Sequence, residues 1–251
     1  MSMLAVEGPD ARGLSRLSLQ RPDRSNALSA GLVEALLEIL AQAAANATRV
    51  LVLQGEGKNF CAGFDLSDSE AESDASLALR FIRIEQMLQA IATSPFLTVA
   101  RVQGAAFGAG ADIVAACDHR LALPGARFRF PGYSFGVALG TRRLAALTGA
   151  AAAQAILSSG RVVTAEEALS RRLLTAVCDA EAIEAEINWL ANGLAALDAS
   201  AAVTLVTQAR QPAPDPDADL AMLVRSVAAP GLKSRLAAYV ARARENARST
   251  S

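Results

Sequence analysis

Several ingredients of common sites are scarce in this chain of 251 residues. There is one histidine, His119, and there are three cysteines and eleven aromatic residues. A metal centre needs clustered His, Cys or carboxylate ligands, and a single histidine leaves little to build one from. Cys61, Cys117 and Cys178 lie far apart, form no CxxC pair and are odd in number, so neither a disulfide framework nor a zinc site follows. A surplus of charge is also lacking. Lys+Arg is 24 and Asp+Glu is 25, giving a net charge of -1 and a pI of about 5.9. A nucleic-acid partner, which needs a basic surface to displace counterions from phosphates, is therefore not expected. No long apolar run occurs. The most apolar stretch, residues 144–160, is mostly alanine, carries Thr148, Gln154 and Ser158, and is too short and too weakly apolar to span a membrane. Residues 1–10 contain Glu7 and Asp10 and no cationic segment before an apolar run, so no secretory signal is expected. A soluble, cytoplasmic protein of a reducing compartment is the resulting expectation. Nucleotide and hydrolase signatures are missing as well: there is no GK[ST], no dinucleotide GxGxxG with its acidic partner, and no GxSxG elbow to accompany His119. His119 is read as a packing or edge histidine.

What is present is apolar and helix-forming. Hydrophobic residues make up 52% and charged residues 20%, a folded composition, and 56 alanines favour helix with a close-packed interior. Leu14, Leu17 and Leu19 alternate with polar neighbours as in a strand. Ser29 is a plausible cap for a helix to about residue 46. A buried strand at 50–53, a long loop over 58–74, a helix over 77–92 broken by Pro95, and a strand at 97–102 follow. The unit then recurs, with a glycine-rich turn, a helix at 109–117 and strands at 120–123 and 127–130. Strands alternating with helices predict an α/β core with parallel pairing. After Val177 the pattern becomes helical, over 180–197, 201–210 and 231–246, with a Pro-rich turn at 211–217. Arg242 and Arg244 are read as cations closing the last helix against its dipole.

Two glycine-rich turns each follow a buried strand. They run from Gly55 to Leu66 and from Val102 to Asp112. Tight chain reversal alone accounts for such glycines. Taken together, however, the turns free backbone N–H groups to point into one cavity, the second from a helix N-terminus. Two donors on one carbonyl oxygen form an oxyanion hole suited to a thioester enolate.

These motifs resemble the crotonase (enoyl-CoA hydratase/isomerase) superfamily. Asn-Phe-Cys-Ala-Gly-Phe-Asp-Leu at 59–66 is similar to its first oxyanion motif, and residues 103–118, ending Ala-Ala-Cys-Asp, to its second. Arg21-Pro22 with Asn26-Ala27-Leu28 resembles its early loop. Phe130-Pro131-Gly132, Gly136 and Gly140-Thr-Arg-Arg-Leu144 resemble the segment after the second turn. The resemblance covers nearly the whole chain and is weakest after about residue 180.

It implies a crotonase-like ββα spiral α/β core over 1–180 carrying an acyl-CoA site, and a C-terminal all-helical region over 181–251 used for assembly into a homo-trimer or hexamer. The hole's donors would be the N–H groups of Phe64 and Ala109. Asp112, one helical turn beyond Ala109, would serve as general base or orient water, ionised under the helix dipole; the plainer reading is a first-turn helix acid. Arg24, Ala62, Asp65 and Leu66, with Lys58 as a weaker candidate, fall at the coenzyme A end, while Asp65 alternatively holds its turn through an Asx hydrogen bond. Leu77, Phe81, Ile84 and Leu88 form a helical stripe that is either acyl tunnel or plain core. Tyr133 is read as a core or surface tyrosine. The departure is at Gly132 and Gly140, where relatives carry a second glutamate or an aspartate. The implied function is an acyl-CoA enzyme stabilising a thioester enolate, most simply an enoyl-CoA hydratase or isomerase, with no cofactor beyond the coenzyme A thioester as substrate. Decarboxylation, lyase chemistry, thioester hydrolysis and a non-catalytic acyl-CoA binder are the alternatives. RNA binding, as in one branch of the superfamily, is disfavoured by the charge balance.

Overall fold

The first of three parallel central strands, β2 (Leu14–Leu19), pairs with β3 (Val50–Gly55), and β3 pairs with β4 (Leu97–Val102), in a computed structural model that describes residues 2–210 and 212–249. β1 (Leu4–Glu7) adds antiparallel to β2, and β6 (His119–Ala122) and β9 (Ala176–Val177) extend the other side in parallel, giving the order β1-β2-β3-β4-β6-β9. Side chains alternate across the sheet, which explains why its strands are apolar on both faces. Val50 and Val52 join Ile183, Ile187 and Leu190 of α7 (Ala180–Ala195) and Val206 of α8 (Ala199–Gln208) on one face. Leu51 and Leu53 join the larger core on the other face, with α1 (Ala30–Ala45), α2 (Asp74–Ala92) and α3 (Ala109–Ala116).

Each of the two turns after β4 and β6 steps the chain into a second, three-stranded sheet of β5 (Ala105–Phe107), β7 (Arg127–Arg129) and β8 (Val163–Thr164) before a helix begins. The helix after β5 is α3; the helix after β7 is α4 (Thr141–Thr148), followed by α5 (Ala150–Ser159) and α6 (Ala165–Ser170). Two strands and a helix thus make the repeating unit.

Helix starts follow their caps. Ser29 Oγ accepts from Leu32 N at 3.3 Å, and Ser73 Oγ accepts from Ser76 N at 3.1 Å, so α2 begins three residues before the expected 77. The Pro-rich turn hides a further helix, α9 (Pro216–Val227). Pro216 takes its first position and Asp215 caps it through Ala218 N at 3.1 Å; Gln211 lies outside the described residues. The last helix, α10 (Leu232–Ser249), runs past the expected 246, so Arg242 is not in its closing turn; Arg242 Nη2 donates to Ser134 O at 3.3 Å instead. Neither α9 nor α10 is a free tail. Leu223, Val227, Leu232 and Leu236 are buried in the main core, and Arg235 donates to the carbonyls of Phe135 (2.9 Å) and Gly136 (3.1 Å). Among the described residues, no helix is long and apolar enough to cross a membrane, and no three His, Cys, Asp or Glu side chains are grouped to hold a metal.

Candidate active site

The first glycine-rich turn is laced to the second by strand-like pairing. Phe60 N donates to Gln103 O (2.9 Å), Cys61 N to Ala105 O (3.1 Å), and Phe107 N to Cys61 O (2.9 Å). Asn26, fully buried, holds the early loop against this turn by donating to Glu56 O and Asn59 O, both at 2.9 Å, and accepting from Arg21 N. Gly63 has φ +85°, and a side-chain carbon there would overlap the Phe107 carbonyl oxygen and lie 3.0 Å from Ala109 N. Glycine at 63 is therefore what lets Phe64 and Ala109 approach each other. Leu28 N donates to Gly63 O (2.7 Å) and Asp65 N to Leu28 O (3.2 Å), which fixes the backbone on both sides of Phe64. Neither the Phe64 nor the Ala109 N–H finds an acceptor among the described residues. Two unspent donors thus stand on the wall of one cavity, the second at the start of α3.

Asp112, in the first turn of α3, lines the same cavity and is 4% exposed. Its Oδ1 is buried without a hydrogen-bond partner. Burial raises its pKa well above the ordinary carboxylate range; the positive charge of Arg143 opposes this and the negative charge of Glu85 adds to it. Desolvation thus works against the charged form that the helix dipole at this first turn favours. Arg143 of α4 sits behind Asp112 and is occupied by other acids. Its Nη1 and Nη2 reach Glu85 of α2 at 2.9 and 2.6 Å, and Nη1 reaches Asp219 of α9 at 2.9 Å. Glu85 is 1% exposed.

Both glycines at the departure positions have a physical reason. A side-chain carbon on Gly132 would lie 2.6 Å from Val137 O, and one on Gly140 (φ +65°) would overlap Asp112 Oδ1. The space of a residue-140 side chain is thus filled by the Asp112 carboxyl itself.

The cavity holds about 140 Å³. Phe64, Phe81, Phe135 and Tyr239 form a connected aromatic wall, with centroid separations of 4.5, 6.3 and 5.1 Å along that order. Arg80 covers the Phe64 ring at 4.0 Å and donates to Asp65 O at 2.9 Å, so the loop bearing Phe64 is braced on that side. Of the α2 stripe, Phe81 faces the cavity, whereas Leu77, Ile84 and Leu88 are core.

The remaining candidates lie as follows. Ala62 and Leu66 line the cavity. Asp65 is 7% exposed and its carboxylate is engaged: it accepts from Arg21 Nη1 (2.9 Å), Ser67 N (3.1 Å) and Ser67 Oγ (2.6 Å), an Asx turn. Burial acts to raise its pKa, but the Ser67 and Arg21 bonds outweigh it and hold the group below the usual range. Arg24 is exposed, 3.9 Å from Asp23, in the short turn Pro22–Arg24, and Lys58 is exposed after β3. Tyr133 is exposed at the cavity edge, with its hydroxyl 3.0 Å from Thr141 Oγ1. His119 lines a different and larger groove, and burial lowers its pKa. Sequence reasoning missed Arg80, Glu85, Arg143, Asp219 and the α10 residues Leu236 and Tyr239 that close the cavity. Only Arg143 lay in a motif singled out for the resemblance.

Comparison with known proteins fits this architecture. Residues 10–223 match the family described as Enoyl-CoA hydratase/isomerase. The chain is 38% identical over 187 residues to the probable enoyl-CoA hydratase echA6 of Mycobacterium bovis, covering 72% of this chain and 75% of the relative. The crystal structure of a Bordetella parapertussis protein assigned as an enoyl-CoA hydratase/isomerase superposes with a TM-score of 0.91 at 42% identity, covering 95% of this chain and 98% of that one. A Mycobacterium smegmatis enoyl-CoA hydratase structure gives 0.79 at 30% identity, covering 96% and 97%. A two-strand, one-helix spiral with two laced glycine turns, shared along nearly its whole length with such proteins, places the chain in the enoyl-CoA hydratase/isomerase family of enzymes, the crotonase superfamily.

Proposed function

We propose that this protein moves a proton at the acyl carbons of a coenzyme A thioester, as an isomerase-type enzyme, with Asp112 as its single acid/base group. The observation that carries this reading is one buried carboxyl sharing an apolar cavity with two unspent backbone amides. With the thioester oxygen on the Phe64 and Ala109 N–H groups, the Asp112 carboxylate takes a proton from Cα. The C–H electron pair passes into the enolate, whose charge rests on the oxygen between the amides. The Asp112 carboxyl then returns the proton to Cγ, and the double bond moves from the β,γ to the α,β position. Hydration needs a further group to hold water, and Gly132 and Gly140 supply none.

A second reading is favoured by the raised pKa of Asp112. A carboxyl that holds its proton is ready to protonate an enolate formed when a carboxylated acyl group loses carbon dioxide. The family expectation of trimers or hexamers has support in the exposed Trp189 and Leu205 beside an uncovered groove.

The test is crotonyl-CoA incubated in heavy water and followed by mass spectrometry, with Asp112→Asn beside the wild type. Deuterium entering the acyl chain without addition of water, and lost in Asp112→Asn, is the expected result. Addition of water would make the protein a hydratase working with one carboxylate. No exchange with any acyl-CoA would leave a non-catalytic binder.

A further inference from the structure

The distribution of aromatic residues is uneven in a way the chemistry of proton transfer does not require. Seven of the chain's eleven aromatic side chains line the small cavity, in a protein whose interior is otherwise built largely from alanine and branched aliphatics. At about 140 Å³ the cavity is well below the roughly 300–1,000 Å³ of sites that enclose a whole drug-sized ligand. An apolar cavity of about 150 Å³ holds one benzene molecule. The far wall is firm. Leu236 is buried, and Tyr239 packs on Phe135 at 5.1 Å. Arg235, one residue before Leu236, staples α10 to four carbonyls: Phe135 (2.9 Å), Gly136 (3.1 Å), Ser226 (3.3 Å) and Ala229 (3.0 Å). Near the amides, the Phe64 ring has one face against Phe81 and the other under Arg80, which leaves its edge for a ligand.

From this we infer that the acyl site takes a compact acyl group of about one six-membered ring, with an aryl group favoured over a linear chain, and that Leu236 and Tyr239 set the length limit. The inference rests on the acyl-thioester reading above. A flat ring beyond the thioester meets the edges and faces of Phe81, Phe135 and Tyr239 in the offset or edge-on arrangements that aromatic pairs prefer, whereas a linear chain gains burial alone. A chain of ten carbons has nowhere to go unless α10 lifts.

Titration calorimetry with saturated thioesters, which cannot undergo the double-bond shift, separates binding from turnover. The ligands are 3-phenylpropionyl-CoA, hexanoyl-CoA, decanoyl-CoA and coenzyme A alone. The aryl thioester is expected to bind about tenfold more tightly than hexanoyl-CoA, and decanoyl-CoA the most weakly of the three thioesters. In Tyr239→Ala the order reverses, with decanoyl-CoA gaining about tenfold as the end wall opens and coenzyme A alone unchanged. Decanoyl-CoA or hexanoyl-CoA binding as tightly as the aryl thioester to the wild type would overturn the inference while leaving the acyl-thioester reading intact. All three thioesters binding no better than coenzyme A alone would overturn both.

Discussion

Two concavities of the chain differ in how their acids are held: those of the larger groove are paired with arginines, whereas the acid of the smaller cavity is not. The groove of about 820 Å³ is lined by Asp118, His119, Arg210, Arg142 and Trp189. There Asp118 takes two bonds from Arg210 (2.7 and 2.9 Å) and two from Thr98 (both 2.9 Å), and Arg142 meets Asp215 and Asp219. The cavity of about 140 Å³ keeps a carboxyl oxygen without a partner and two backbone amides without acceptors. A buried unpaired polar group costs stability, and three such groups in one place support the proposed thioester site. Unspent hydrogen-bonding capacity, rather than volume, is the basis for proposing the smaller one.

The sharpest way to break that comparison is to neutralise one acid on each side. Asp112→Asn is expected to lower α-proton exchange by about 10³-fold. Asp118→Asn is expected to leave exchange within about twofold and to cost about 1–3 kcal/mol of stability through lost bonds to Arg210 and Thr98; isotope exchange and urea unfolding read the two. The sign of the pH effect follows from the raised pKa of Asp112. Its folded-state value lies above its unfolded one, so its contribution to stability is full at low pH and is lost as pH rises through the folded value. Proton abstraction needs the carboxylate, so exchange rises over the same range. Asp112→Asn removes both dependences and raises Tm above that range by about 2–4 °C.

Arg143, on the wall of the larger groove, is buried in an ion pair with Glu85 and its charge also bears on Asp112. Arg143→Met leaves Glu85 buried without its partner and is expected to cost about 3–5 kcal/mol. Loss of that positive charge also pushes Asp112 further up, so the remaining exchange shifts to higher pH. A purely structural role for Arg143 would leave the midpoint of that profile in place.

Gly140→Ala puts a carbon at φ +65° onto Asp112 Oδ1. It is expected to cost about 1–3 kcal/mol and to reduce exchange by turning the carboxyl away. On an Asp112→Asn background the effect on exchange vanishes and only the stability loss remains. The smallest effect belongs to a pair that touches neither concavity: Arg83→Ala, losing the exposed bridge to Glu34, is expected to change stability by less than about 1 kcal/mol and exchange not at all.

Much of this was legible in the chain because the site's framework is local. Gly63, Phe64 and Asp65 are consecutive, as are Gly108, Ala109 and Gly110, and a turn plus a helix start is written in neighbouring residues. The α/β alternation and the Ser29 cap were legible for the same reason. What was hidden depends on distance along the chain. Arg143 meets Glu85 across 58 positions and Asp219 across 76, and no spacing rule joins them. The raised pKa of Asp112 depends on burial, and on charges at Arg143 and Glu85, that only packing brings to it. The helix α9 did carry signals, Asp215 as cap and Pro216 at its first position, but three prolines in a row of short spacings read as a turn. The cavity's closed end comes from α10, whose Leu236 and Tyr239 meet Phe135 a hundred residues earlier only after the core has formed.

The most direct measurement is a crystal structure with butyryl-CoA bound. The account predicts the thioester oxygen within hydrogen-bonding distance of both Phe64 N and Ala109 N, with the acyl carbons beside Asp112 in the small cavity. A thioester seated in the larger groove, beside Asp118 and Trp189, would contradict it.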